Sequence, residues 1–268
     1  AASDVYKRQV KDIAQTIDYI PTREEVFYLI SKARNAMKTV IVLMAFAGIR
    51  PVDIVNLRFA NVMEEVKFNE DLGMYRPKRV PLKIVVKQRK TKQWYVTFLG
   101  PKGAEILCNY LTELRRKLRR PLKPSDRLFP TWRSKTTLEI YLIQHIERNA
   151  RRFVGVRKFR PYSLRKYFRR AIMKLGEDVA EYLMGHLKGI NSLSAVYSGL
   201  RDLDDKAVDE LRKQYAKVVH ELEGSESSLI AEEYRKRVEK LEKKVKFLED
   251  VLGVLTKLHP EDLEKVIK

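Results

Sequence analysis

The sequence predicts a mainly α-helical protein with one small antiparallel β-sheet, an α+β fold that is followed by a helical tail. Apolar residues recur three and four positions apart through most of the chain, the spacing of helices with one buried face. Only residues 80–99 alternate with a period of two and concentrate Val, Ile, Tyr and Thr, the pattern of strands. At Gly224 the composition switches to Gly, Ser and Glu, which marks a linker before a helix of different character.

Taken in order, the first helix is expected over residues 22–35. Thr22 can cap its amides, Glu24 and Glu25 favour the positive end of the helix dipole, and Val26, Leu29 and Ile30 share a face. Residues 38–48 are apolar nearly all round, so this helix should lie at the centre of the core and stop at Gly48, which leaves Arg50 and Asp53 at its exit. Residues 80–99 form a hairpin whose tip, Gln88 to Gln93, is cationic. Helical spacing returns over 101–119 through Ile106, Leu107, Leu111 and Leu114, and again over 136–150, before a very basic stretch at 151–170. Further helices are expected around 179–184 and 203–222. The chain therefore divides into a domain over 1–223, a linker over 224–230 and a tail over 231–268. In that tail Val238, Leu241, Val245, Leu248, Leu252 and Leu255 alternate three and four apart, the seam of a coiled coil or of a helix folded back on its own domain.

Charge limits the partners. The 268 residues carry 55 Lys and Arg against 35 Asp and Glu, a net charge of +20, which suits a polyanion. The longest apolar run, 39–49, is far too short for a bilayer and no signal-peptide order opens the chain, so nucleic acid is favoured over membrane and a cytoplasmic, nucleoid-associated protein is expected. The start at Ala1 is compatible with a missing upstream domain. The single cysteine, Cys108, excludes an internal disulfide and any multi-cysteine metal site and reads as a small core residue. No phosphate-binding glycine loop and no carboxylate metal cluster is visible, so no cofactor and no metal is expected.

Cutting a phosphodiester without a metal needs a nucleophile, cations for the charge on the non-bridging oxygens and a proton donor for the leaving oxygen. Arginine suits the second role because its planar fork binds phosphate through two parallel hydrogen bonds and keeps its charge. A first candidate is Arg50 in Gly48-Ile49-Arg50, followed by Asp53 and Leu57; a second is Arg165 in Tyr162-Ser163-Leu164-Arg165. Leu183-Met184-Gly185-His186 and Tyr197 follow in order. Over roughly residues 22–200 this series resembles the conserved boxes of tyrosine recombinases, the phage-type integrase family. The divergence and the Lys- and Glu-rich tail are most similar to integrases of archaeal viruses and plasmids.

The resemblance implies the tyrosine recombinase catalytic-domain fold and a site-specific recombinase that cuts and rejoins double-stranded DNA through a 3′-phosphotyrosine link, integrating or excising a mobile element. Arg50 and Arg165 would clamp the scissile phosphate, His186 would bond a non-bridging oxygen or assist proton transfer, and Tyr197 would attack. Lys90 would be the acid, with Lys87 and Lys92 as alternatives, and Asp53 would orient Arg50. Tyr162 stands where many members carry His or Lys, so proton transfer there is weaker, absent or supplied by a neighbour such as Lys158. The interval from His186 to Tyr197 is also longer than the family's usual one. Phosphate contacts are expected from Lys87, Arg89, Lys92, Arg151, Arg152, Lys158, Arg160 and Lys166. Strand exchange implies a homo-oligomer, a tetramer on DNA, acting in the host cell if the element is viral. Two alternatives remain open: an enzyme like the type IB topoisomerases, and a DNA-binding protein on the same fold that does not cleave.

Overall fold

A computed structural model of the chain describes residues 19–132, 134–150, 159–186 and 204–224. The chain divides at Gly224 into Ala1–Glu223 and Gly224–Lys268, and every described element lies in the first unit. The helical tail and its coiled-coil seam therefore fall outside the described residues.

The fold is mostly helical with small antiparallel sheets. Helix α1 spans Arg23–Lys32, and Thr22 and Glu25 form a reciprocal capping box at its start. Helix α2, Asn35–Ala45, is the apolar segment: every side chain from Thr39 to Ala45 is buried, because α1, helix α4 (Pro101–Leu118) and helix α6 (Pro161–Ile172) pack around it. It starts and ends three residues earlier than the 38–48 expected, since Gly48 lies in the loop beyond it with a left-handed φ of +64°. There the chain turns sharply, and the Ile49 amide bonds back to the Leu43 carbonyl at 3.0 Å. The turn delivers Arg50 to the start of the short helix α3, Pro51–Ile54, where Pro51 at the first helical position suits the fixed φ of proline.

Among the described residues two hairpins are present where the sequence pattern predicts one. Strands β1, Val66–Asn69, and β2, Met74–Pro77, pair with Val66 opposite Pro77. Four residues is the shortest length at which alternation counts, and Met74-Tyr75-Arg76-Pro77 does not alternate, which is why this sheet escapes a pattern search. Strands β3, Leu82–Lys87, and β4, Trp94–Leu99, form the expected hairpin. Its inner face places Leu82, Ile84 and Val86 opposite Leu99, Thr97 and Tyr95, all fully buried, and the Thr97 hydroxyl donates to the Ala47 carbonyl at 2.8 Å. The hairpin is thereby anchored to the same turn that presents Arg50.

Helix α5, Lys135–Ala150, follows a loop closed by the Tyr110–Phe129 stack. Helix α7, Glu177–Leu183, packs on β4 and α6. The helix expected over 203–222 is two helices, α8 over Asp205–Ala216 and α9 over Val219–Glu223. Buried Arg212 of α8 meets both oxygens of buried Glu65 at 2.9 and 3.0 Å, and Arg79 meets Glu65 at 3.2 Å. Burial opposes the charge on Glu65, but the hydrogen bonds from Arg212 and Arg79 outweigh it and hold its carboxyl below the ordinary value. Among the described residues, no helix is long and apolar enough to cross a membrane.

At the end of α9, Glu223 is 1% exposed and accepts the amides of Lys102 and Gly103 at 2.9 and 3.3 Å, at the N-terminal end of α4. Burial nonetheless pushes its carboxyl up from 4.5 to about 7. The folded chain then holds a proton there that the unfolded chain releases, so this stabilisation is complete below about pH 4.5 and is lost as pH rises through about 7. Glu223→Gln is expected to gain on the wild type by at most about 3 kcal/mol over that window, measured as the difference between their denaturation midpoints at pH 5 and pH 8.

Candidate active site

The turn after α2, the tip of the β3–β4 hairpin and the chain leaving α7 enclose an open cleft of about 450 Å³. Arg50, Val52 and Asp53 line it from the start of α3, Gln88, Lys90, Thr91 and Gln93 from the hairpin tip, and Gly185 and His186 from the end of α7. Residues more than 130 positions apart in sequence thus converge on one wall-and-floor arrangement. Each is placed by a backbone constraint that can be named.

Arg50 is a quarter exposed and sits 3.9 Å from Asp53, which is buried. The other Asp53 oxygen accepts the Arg89 amide at 2.9 Å, so a single carboxylate ties the hairpin tip to the arginine turn. Burial raises the Asp53 carboxyl above its ordinary value, against the Arg89 amide and the guanidiniums of Arg50 and Arg165. The tip is held a second time through Gln88, whose amide donates to the Gly185 carbonyl and whose oxygen accepts from Thr91 at 3.0 Å. Gly185 has a φ of +72°, and a Cβ there would lie 2.6 Å from Gln88 Nε2 and 3.0 Å from Tyr95 Cε1, so glycine is required on both conformational and steric grounds.

Arg165, on α6, is fully buried and lies behind the cleft rather than on its surface. Its Nη2 donates to the Met184 carbonyl at 3.2 Å, which fixes the chain just before Gly185. Its Nε and Nη1 have no hydrogen-bond partner among the described residues, and the same holds for the Tyr95 hydroxyl and for Asp53 Oδ2. Burial, with the like charge of Arg50, pushes the Arg165 guanidinium below its ordinary value, while Tyr95 and Tyr162 act in the opposite sense. A buried cation of this kind is unfavourable for the fold alone, and such groups concentrate where a ligand will supply the missing acceptors. Two guanidiniums, one at the surface and one beneath it, leave a net positive floor suited to an anion with several oxygens.

His186 lines the cleft and places its Nδ1 2.5 Å from the carboxylate of Glu181. The other oxygen of Glu181 accepts from Arg169 at 3.1 Å. Of the three lysines weighed for the hairpin, Lys90 lines the cleft, whereas Lys87 lies over the Trp94 ring at 5.2 Å and Lys92 occupies a left-handed position with φ of 62°. Tyr162 is half exposed, with its ring 5.9 Å from Arg165 and 5.8 Å from Lys166. Arg160 is exposed just ahead of α6, and Arg89 joins the site through its amide. Tyr197, Arg151, Arg152 and Lys158 lie outside the described residues.

Sequence reasoning missed Glu181, Gln88 and Tyr95. Gln88 and Tyr95 carry no type-specific signal. Glu181 had one, because glycine one residue before His186 closes the end of α7 and brings the residue five positions back against the histidine.

No protein-family model matches the chain, and no curated protein matches it. Among solved structures it is similar to XerA recombinase, with 20% identity, a TM-score of 0.46 and coverage of 75% of this chain and 66% of that one. It is also similar to the lambda integrase catalytic core, with 16% identity and a TM-score of 0.42 over 63% of this chain and 92% of that one. A third is the integrase from mycobacterium phage Brujita, with 15% identity and a TM-score of 0.46 over 78% of this chain and 64% of that one. The chain spans slightly less than two thirds of the length of the first and third.

Proposed function

We propose that this protein is a site-specific DNA recombinase of the integrase kind, acting on double-stranded DNA through a covalent 3′-phosphotyrosine formed by Tyr197. The observation that carries the reading is the convergence of Arg50, Lys90 and His186 on one cleft above the buried, incompletely bonded Arg165. Arg50 and Arg165 bind the non-bridging oxygens of the scissile phosphate and stabilise the charge that grows there during attack. As the Tyr197 oxygen bonds to phosphorus its proton passes to the neutral imidazole of His186, the bond to the 5′ oxygen breaks, and the Lys90 ammonium supplies the proton that this oxygen takes up. The phosphate ester energy is kept in the tyrosyl link, and a 5′ hydroxyl from a partner duplex reverses the step on a new strand. Asp53 holds Arg50 and the hairpin tip together, so that clamp and acid approach the phosphate as one body. Exchange between two duplexes requires several protomers, and a tetramer on DNA is the assembly the reaction calls for.

The test is to trap the link. The protein is incubated without divalent metal on nicked duplex carrying a candidate crossover site, denatured, and scored for a protein–DNA adduct whose DNA-linked peptide is then sequenced. An adduct mapping to Tyr197 and absent in Tyr197→Phe is expected. DNA binding with no adduct in either protein would replace this reading with the binding protein that does not cleave, and religation confined to the original strand would favour the topoisomerase-like alternative.

A further inference from the structure

The mechanism above leaves a carboxylate unused: Glu181, two-thirds buried or more and in contact with His186. Its position follows from the way α7 ends. Gly185 adopts a left-handed φ of +72°, the Gly185 amide bonds to the Tyr182 carbonyl at 2.8 Å, and the His186 amide bonds to the Glu181 carbonyl at 2.8 Å. That is the pair of bonds that closes a helix on a glycine, and it places the residue after the glycine against the residue five positions back. Helices closed in this way frequently fill that contact with apolar side chains; here it holds a carboxylate and an imidazole.

A carboxylate can only accept, so at 2.5 Å from Glu181 Oε2 the His186 Nδ1 carries the proton. The carboxylate is itself oriented, since its Oε1 takes the hydrogen bond from Arg169. The backbone around the ring is pinned as well: Arg165 holds the Met184 carbonyl and Gln88 holds the Gly185 carbonyl. Orientation of the ring and its tautomer are thus set by separate contacts.

We propose that Glu181 is the positioning residue for His186, holding the proton on Nδ1 so that Nε2 is the nitrogen left for proton exchange in the cleft. In the neutral ring Nε2 then offers a lone pair that can take the proton of an attacking hydroxyl, and the imidazolium so formed keeps Glu181 as its counter-charge. Glu181 is not among the residues that line the cleft; it acts through His186. The catalytic consequence rests on the cleavage reading given above, whereas the tautomer does not.

The experiment therefore has two arms on the full chain. In the first, imidazole nitrogen spectra are recorded at neutral pH for the wild type and Glu181→Ala, and His186 is assigned among the four histidines with His186→Gln. The wild type is expected to show His186 as the Nδ1–H tautomer, and Glu181→Ala to revert to the Nε2–H form that predominates in unconstrained imidazole. An Nε2–H ring in the wild type, or the same tautomer in both, would overturn the proposal; the wild-type spectrum alone decides it if the alanine variant proves unfolded by circular dichroism. In the second arm, adduct formation is expected to slow roughly 10- to 100-fold in folded Glu181→Ala with DNA affinity kept within about twofold. An unchanged rate in a variant whose tautomer has switched would remove the catalytic role. If the wild type forms no adduct, the cleavage reading fails on its own and the spectra still settle where Glu181 holds the proton.

Discussion

Replacing Arg165 with methionine is expected to lower the yield of the proposed protein–DNA adduct by about 10²- to 10³-fold, without loss of stability. The two halves of this outcome have one cause. Arg165 is fully buried, yet only its Nη2 is bonded, to the Met184 carbonyl, and its Nε and Nη1 find no acceptor among the described residues. Burial pushes its guanidinium down, which means that the fold disfavours the charged form it must accommodate. Methionine is similar in length, has no polar hydrogen to satisfy and packs well in irregular space. Exchanging an imperfectly compensated buried ion for an apolar side chain is typically neutral or stabilising by about 1–4 kcal/mol. Losing the bond to Met184 works against this gain, so a denaturation midpoint at or slightly above that of the wild type is expected. A loss of more than about 2 kcal/mol would show instead that Arg165 is a structural cation whose unbonded nitrogens matter little. Adduct yield and denaturant melts on the same preparation check both halves.

The second large effect is on folding. Gly48→Ala is expected to destabilise the protein by about 2–4 kcal/mol, read as a lower denaturant midpoint at unchanged slope. A left-handed alanine costs about 1 kcal/mol by itself. The remainder comes from contact: a Cβ at Gly48 would lie 2.2 Å from Cδ1 and 2.4 Å from Cε1 of Phe168, a fully buried ring on α6. Because that ring is enclosed by the core, α6 or the turn must shift. Arg50 follows two residues after the glycine and Arg165 precedes the ring by one helical turn, so the same substitution is expected to misalign both cations. Phe168→Leu in the Gly48→Ala background should recover part of the lost stability, and strict additivity of the two changes would exclude the clash as the cause.

The legibility of this site varied with the kind of signal each residue carries. Arg50, Arg165 and His186 could be singled out because each stands in a short run, and the runs follow one another in the order of a known family's boxes. Lys90 was preferred over Lys87 and Lys92 by resemblance alone, and of the three it is Lys90 that the folded hairpin puts on the cleft. Gln88 joins the site through a bond to a carbonyl 97 residues away, a relation that no local pattern encodes. The β1–β2 hairpin was missed because its strands have the shortest length at which alternation counts and β2 does not alternate. The break between α8 and α9 was missed because the apolar spacing runs through it without a proline or glycine.

The helical class, the central apolar helix, the principal hairpin and the cationic character can all be read from the chain without its fold. These are properties of local periodicity and of composition, and they need no partner across space. Only the folded core buries Arg165 with nitrogens left unbonded among the described residues, and only there does Asp53 join the arginine turn to the hairpin tip. Those outcomes depend on desolvation and on distances between segments far apart in the chain, and both come into being only when the core closes around α2.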